Sequence, residues 1–288
     1  MDTAERLASA LGRPGRSLRR LRGGCVADVL LADLGAGLGD EPGAGTLVVV
    51  KRGGLAYETE AMMLRWLRER SSLPVPAVLH SEPDLLVIEH VEHDGRLGES
   101  GERHAAELLA ALHAVPADTF GFERDTLIGP LDQPCPPTAS WVEFFAAQRL
   151  RHFGALAHGR GAITGPCWDA LRRLADRLGR HIEEPEHPSL IHGDVWSGNV
   201  LADRGRIAAF IDPAVHYAHP EAELAFITLF STFGRPFFAR YHELRPIREG
   251  FFERRRSIYN LYPLLVHAIL FGGGYAEQVE RMLKALDP

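Results

Sequence analysis

The sequence predicts a bilobal α+β fold: a small antiparallel sheet with one helix over residues 1–93 and a larger helical lobe over 94–288. Three observations carry the prediction. Short β-branched and apolar runs crowd the N-terminal third, notably Thr46–Lys51 and Leu85–Ile88. Apolar residues at helical spacing dominate from Glu102 onward. Between them, Glu92–Gly101 is polar, carries Gly95 and Gly98, and reads as the boundary. At about 150 residues per domain, a chain of 288 suits one large domain or two packed lobes.

The elements follow in order. Thr3–Leu11 reads as a helix capped by Thr3 and stopped by Gly12. Ser17–Leu34 is extended and interrupted by Gly23-Gly24, and the Gly/Asp-rich stretch Gly35–Gly45 suits a turn between strands. Thr46–Lys51 is a buried strand, and Leu55–Arg70 a helix with Tyr57, Leu64 and Leu67 on one stripe. Glu60 lies on that same stripe, and a carboxylate facing inward needs a partner. Pro74 and Pro76 break the chain before the strands Ala77–His80 and Leu85–Ile88. Glu102–Val115 is helical through Leu108, Leu109 and Leu112. Pro116–Ala139 reads as a long loop, a class that is often functional. Ser140 and Glu143 form a capping box that opens a helix over Trp141–Phe153. Pro166 starts another, with Leu171, Leu174 and Leu178 on one face. Ser189–Ile191 and Ile207–Ile211 are strands flanking a polar loop, and Glu221–Leu286 alternates helices and turns.

Composition narrows the function. Hydrophobic residues at 45% and charged residues at 24% are ordinary globular usage. A net charge of -6 argues against nucleic acid and anionic membranes, which reward surplus cations. No apolar run reaches the roughly 18 residues of a membrane span. Cys25, Cys135 and Cys167 are too few and too far apart for a disulfide framework or a zinc site, so a reduced cytoplasm is expected. Arg13, Arg16, Arg19, Arg20 and Arg22 faintly resemble a transit peptide, but Asp2 and Glu5 favour a solvated face. The chain is expected to act as a monomer.

The densest chemical signal is Ile191-His-Gly-Asp-Val-Trp-Ser-Gly-Asn-Val200, with Asn199 five places after Asp194 and Asp212 ending the next strand. Phosphoryl transfer needs this set: one carboxylate accepts the attacking hydroxyl's proton, while an amide and a second carboxylate hold Mg²⁺ against the phosphates. Each residue alone could be a cap or turn former; the combination points to catalysis. Lys51 and Glu60 supply a Lys–Glu pair that can present an ammonium to the phosphates, with a purely structural strand–helix salt bridge as the alternative. Gly23 and Gly24 could admit backbone amides to the phosphates or simply form a strand turn. Val87–Val91 would then be the hinge, with adenine meeting the backbone near Glu89, His90 and Val91.

These residues resemble the fructosamine kinase family, also called ketosamine-3-kinases, relatives of aminoglycoside and choline kinases with a protein-kinase-like fold. The most specific part is His192-Gly-Asp-Val-Trp-Ser-Gly-Asn199. Asp212-Pro-Ala, His216-Tyr-Ala-His219-Pro-Glu-Ala-Glu223 and Trp141–Leu150 are similar to further family segments, so the resemblance spans nearly the whole chain. It implies Asp194 as proton acceptor, Asn199 and Asp212 on Mg²⁺, Lys51 and Glu60 at the ATP phosphates, and Glu89 to Val91 as the nucleotide hinge; Trp196, His219 and Glu221 are expected at the substrate. It also implies phosphorylation of the 3-hydroxyl of a ribulosamine, erythrulosamine or fructosamine, after which the sugar falls away and the amine is repaired. Two departures stand out: Ala27 where the glycine loop of the family has a hydroxyl or amide, and Ala218 in place of glycine.

Trp196 offers either a sugar platform or core packing. Cys25 is either an oxidisable thiol in the phosphate loop or a small buried residue. His113 and His152 read as satisfied helix residues rather than ligands. Two other functions stay open: a different small-molecule kinase of the same fold, or a pseudokinase that serves as a binding module.

Overall fold

The structure is a computed structural model and describes residues 2–13, 15, 17–21, 28–35, 46–53 and 56–286. Gly23, Gly24, Cys25 and Ala27 lie outside the described residues. The N-terminal third comprises α1 (Thr3–Leu11), β1 (Ser17–Arg20), β2 (Asp28–Asp33), β3 (Leu47–Arg52), α2 (Tyr57–Arg70), β4 (Val78–Glu82) and β5 (Leu85–Glu89). The five strands form one antiparallel sheet in the order β1-β2-β3-β5-β4.

Strand alternation decides what each face of this sheet carries. Val48 and Val50 of β3, with Leu85 and Val87 of β5, pack with Leu7 of α1 on one face. Leu86 and Ile88 join Met63, Leu64 and Leu67 of α2 on the other. Lys51 has the parity of the α2 face, so its side chain must enter an apolar layer. Arg6 secures α1 to the turn between β4 and β5 through Glu82 and both oxygens of Asp84.

Residues 90–98 have neither helix nor strand, and α3 (Glu99–Leu112) begins the helical part. A hairpin follows, β6 (Thr126–Ile128) and β7 (Leu131–Gln133), then α4 (Trp141–Phe144), a π-helical turn Phe145–Arg151, and α5 (His152–Gly159). After α6 (Gly165–Asp176) come β8 (Ser189–Ile191), β9 (Val200–Asp203), β10 (Arg206–Phe210) and β11 (His216–Ala218). Helices α7 (Pro220–Leu229), α8 (Arg235–Leu244), α9 (Arg256–Phe271) and α10 (Gly274–Leu286) complete the chain, with a second π-helical turn at Phe251–Arg255. The pairs β8–β11 and β9–β10 are two-stranded ribbons. Pro74 O accepts from Phe210 N at 2.8 Å, and Ala202 O accepts from the amides of Asp94 and Gly95, so the ribbon ties the sheet-bearing half to the helical half. No helix among the described residues is long and apolar enough to cross a membrane.

The bilobal α+β architecture therefore matches the sequence expectation, with local corrections. The cap of α1 is Asp2, whose carboxylate accepts from Glu5 N while Glu5 reaches back to Asp2 N; Thr3 lies inside the helix. The capping box at Ser140 is only half formed, because Glu184 takes the Ser140 hydroxyl and the amides of Trp141 and Val142. Residues 116–139 are not a bare loop. They contain the β6–β7 hairpin and bridges from Phe120 to Thr138 and from Gly121 to Tyr217.

Gly121 shows why this segment holds its shape. Its φ is +95°, and a Cβ there would come within 2.6 Å of the Cys135 and Pro136 carbonyl oxygens. Gly121→Ala is expected to lower the unfolding free energy by about 2–3 kcal/mol. Gly159→Ala, with nothing within 4 Å, should change it by no more than about 0.5 kcal/mol. Denaturant titration of the two variants checks the contrast.

Candidate active site

Lys51 enters the α2 layer and is 7% exposed. Its Nζ donates to Glu60 Oε1 at 2.7 Å and to Asp212 Oδ1. Glu60 lies on the first turn of α2, four residues before Leu64, so helix geometry aims it at β3. Burial alone would lower the Lys51 pKa, but the charges of Asp212 and Glu60 outweigh it and hold the ammonium well above its usual value. Burial pushes the Glu60 carboxyl up, and Asp212 adds to that, against the pull of Lys51. The inward carboxylate foreseen from the helical stripe has thus met the lysine foreseen from the strand.

Asp212 follows β10 with φ +54°, a left-handed conformation uncommon outside glycine. Backbone bonds zip this segment to the loop after β8: Ile211 N donates to Asn199 O at 3.0 Å and Ala214 N to His192 O at 2.8 Å. Asn199 Nδ2 donates to Asp194 Oδ2 at 2.8 Å and to its main-chain oxygen at 3.0 Å. Burial, reinforced by the nearby charge of Asp212, pushes the Asp194 carboxyl up to about 8. The structure therefore gathers Lys51, Glu60, Asp194, Asn199 and Asp212 at one place.

A buried scaffold that the sequence reading missed lies beneath them. Gly193 has φ +87°, and a Cβ would sit 2.2 Å from Ala214 O. Its N–H donates to Glu223 Oε1 at 2.6 Å, while Glu223 Oε2 meets His113 Nε2 at 2.8 Å. The other nitrogen of His113 bonds Tyr241 Oη at 2.7 Å. Burial alone would raise the Glu223 carboxyl, yet the His113 hydrogen bond and charge hold it below its usual range. His113 is the residue that ends α3, satisfied as expected, and its partner comes from α7, 110 positions away. From the other side, Gln133 donates to Ala214 O at 3.2 Å and accepts from Tyr262 Oη at 2.6 Å. The β6–β7 hairpin thus clamps the Asp212-Pro-Ala segment to α9.

Asp194 borders an apolar cavity of about 30 Å³. Its wall includes Trp141, Phe145, Arg149, Tyr259 and Tyr262. His219 and Glu221, expected at the substrate, do not line it. Nδ1 of His219 accepts from Glu221 N and its ring packs on Trp141 and Tyr259, while both Glu221 oxygens accept from Arg255 at 2.7 Å. Burial and the nearby arginines push His219 down to about 3. Both residues stand behind the aromatic wall, where His219 Nδ1 and both Glu221 carboxylate oxygens are engaged. Trp196 is half-buried, also outside this lining, and its indole lies over Gly198, where a Cβ would come within 2.4 Å of the ring. Glu89 is exposed at the end of β5, with Oε2 accepting from Ala77 N; His90 and Val91 are half-buried beyond it and border a separate polar crevice.

The raised Asp194 pKa has a stability consequence. A carboxyl whose folded pKa exceeds its unfolded value gives stability at low pH that is lost as pH rises through the folded pKa. Asp194→Asn removes that titration. The melting temperature of the variant relative to the native chain should climb between pH 4 and about 8 and then level off. A gap that does not vary with pH contradicts the assignment.

The family model for fructosamine kinase matches residues 47–287. A Synechocystis sp. protein named probable ketoamine kinase slr1563 is 34% identical over 233 residues, covering 79% of this chain and 77% of that protein. The chloroplastic protein-ribulosamine 3-kinase of Arabidopsis thaliana is 31% identical over 246 residues, covering 80% and 73%. Among solved structures, one from Thermobifida fusca YX-ER1, given as a candidate fructosamine-3-kinase, superposes with a TM-score of 0.86 at 31% identity, covering 99% of this chain and 98% of that one. With the match running across both the sheet and the helical part, this chain belongs to the fructosamine kinase family and has its protein-kinase-like fold.

Proposed function

We propose that this chain is an ATP-dependent ketosamine 3-kinase, acting on ribulosamines or erythrulosamines and also on fructosamines. The observation that carries the reading is the gathering of Lys51, Glu60, Asp194, Asn199 and Asp212 around one cleft, in a chain of this family. Residues 1–93 form the nucleotide lobe and 94–288 the catalytic and acceptor lobe. Adenine meets the backbone at Glu89, His90 and Val91; Gly23 and Gly24, expected at the phosphates, lie outside the described residues.

Asp194 accepts the proton of the acceptor 3-hydroxyl. The freed oxygen attacks the γ-phosphorus, the bond to the β–γ bridging oxygen breaks, and ADP leaves with its electron pair. A carboxyl poised near 8 suits this task, since a base works best with a pKa near the operating pH. Lys51 turns its ammonium to the phosphates, and Glu60 keeps it aimed.

The residues fit a magnesium ion. Asn199 spends its NH₂ on Asp194, which leaves Oδ1 as a hard oxygen donor, and Asp212 adds a half-exposed carboxylate. No cluster of three or more His, Cys, Asp or Glu able to hold a metal occurs among the described residues. That suits Mg²⁺, which takes one or two protein ligands and completes its shell with phosphates and water. When bound, the ion neutralises charge developing on the phosphoryl oxygens. Trp196 offers its indole to the sugar or amine stem. Cys135 and Cys167 are unpaired, which suits a reducing cytoplasm.

ADP release tests the reading. With Mg-ATP, ribulosyl-lysine or fructosyl-lysine should support turnover, while choline and an aminoglycoside should not. Asp194→Asn should lower the ketosamine rate by about 10²–10⁴-fold. Turnover with choline or the aminoglycoside alone would redirect the assignment to another kinase of this fold.

A further inference from the structure

Arg149 is a fully buried cation on the cavity wall. It is 0% exposed and comes inward on the π-helical turn Phe145–Arg151. Such turns interrupt regular helices and recur at functional sites. A guanidinium stays charged at any relevant pH and carries five N–H donors. The partners here are neutral. Nη1 donates to the carbonyls of Pro134 at 2.8 Å and Gln148 at 3.3 Å, and Nη2 to Cys135 Sγ at 3.4 Å. Its Cζ lies 4.7 Å from the Phe144 ring and 5.2 Å from the Tyr262 ring. Nε has no partner. No ion pair among the described residues includes Arg149.

Burying a charge without a counter-charge is costly, and an enclosed cation is normally paired. Neither carboxylate on this cavity wall pairs with Arg149: Asp194 accepts from Asn199 through Oδ2, and Glu223 bonds His113 and Gly193 N–H. The remaining wall is largely aromatic and aliphatic. The missing negative charge must then come from what the cavity receives.

We propose that Arg149 recognises an anionic group on the acceptor, so that the preferred ketosamine carries a carboxylate or phosphate besides the hydroxyl presented to Asp194. The inference rests on the kinase reading above and deepens it. Two sources could supply the anion: the carboxylate of an amino acid bearing the sugar, or a phosphate on the terminal carbon of the sugar. Either chemistry matches a planar guanidinium.

Three acceptors separate the cases: ribulosyl-glycine, ribulosyl-glycinamide, and the same amide with a 5-phosphate. Steady-state kinetics on the native chain should give at least one anionic acceptor a KM tenfold or more below that of the neutral amide. Whichever anion gains identifies its source. Arg149→Met should lower the ratio of kcat/KM between the anionic and neutral acceptors at least tenfold, and Arg149→Lys should retain part of it. Equal KM values for all three acceptors on the native chain overturn the inference, and so does an equal loss for all three in the variants. If Arg149→Met fails to fold, the native comparison and Arg149→Lys still decide. Absence of turnover with every ketosamine instead sinks the kinase reading and takes the inference with it; turnover without charge preference sinks the inference alone.

Discussion

The pairing of one buried ammonium with two carboxylates from distant parts of the chain organises this molecule. Lys51 lies on the inner face of a strand, where burial would otherwise strip its charge. Glu60 answers from the helix packed on that face, and Asp212 from a loop 161 positions later. The first contact sets the helix against the sheet. The second joins the sheet-bearing part to the helical part at the cleft. Removing either carboxylate leaves a buried charge short of a partner, so stability and chemistry are held by the same atoms.

The segments that carry Asp194, Asn199 and Asp212 are short and irregular, and need support from regular elements. Two clamps provide it. Glu223, oriented by His113, holds the Gly193 amide from the side of α7 and α3. Gln133, held by Tyr262, fastens Ala214 from the β6–β7 hairpin and α9. Gly193 is the one residue type that can take φ +87° while its neighbours' backbones press together. Buried networks of this kind specify one geometry when every member is satisfied. The cleft thus combines a left-handed Asp212, a left-handed Gly193 and a desolvated Asp194, all kept in place by contacts made elsewhere.

Much of this was legible in the residue order. Strand parity places Lys51 on the helix face and helical spacing places Glu60 opposite it, because both signals are local and periodic. The spacing of Asp194, Asn199 and Asp212 is likewise a short-range pattern. The supporting contacts were not legible: His113 meets Glu223 across 110 positions and Tyr262 meets Gln133 across 129, and no local pattern encodes such pairings. The hairpin within 116–139 was hidden because its strands have three residues each and lie among prolines. His219 and Glu221 sit close to the predicted site in sequence, yet Arg255 and the aromatic wall draw them behind it.

Nucleotide binding at Lys51 is the step on which the proposed chemistry turns. Calorimetric titration of ATP into the native chain and Lys51→Met, with and without Mg²⁺, tests it most directly. Binding should depend on Mg²⁺ and weaken at least tenfold in Lys51→Met. Equal affinity in the two proteins, or no nucleotide binding by the native chain, would contradict it.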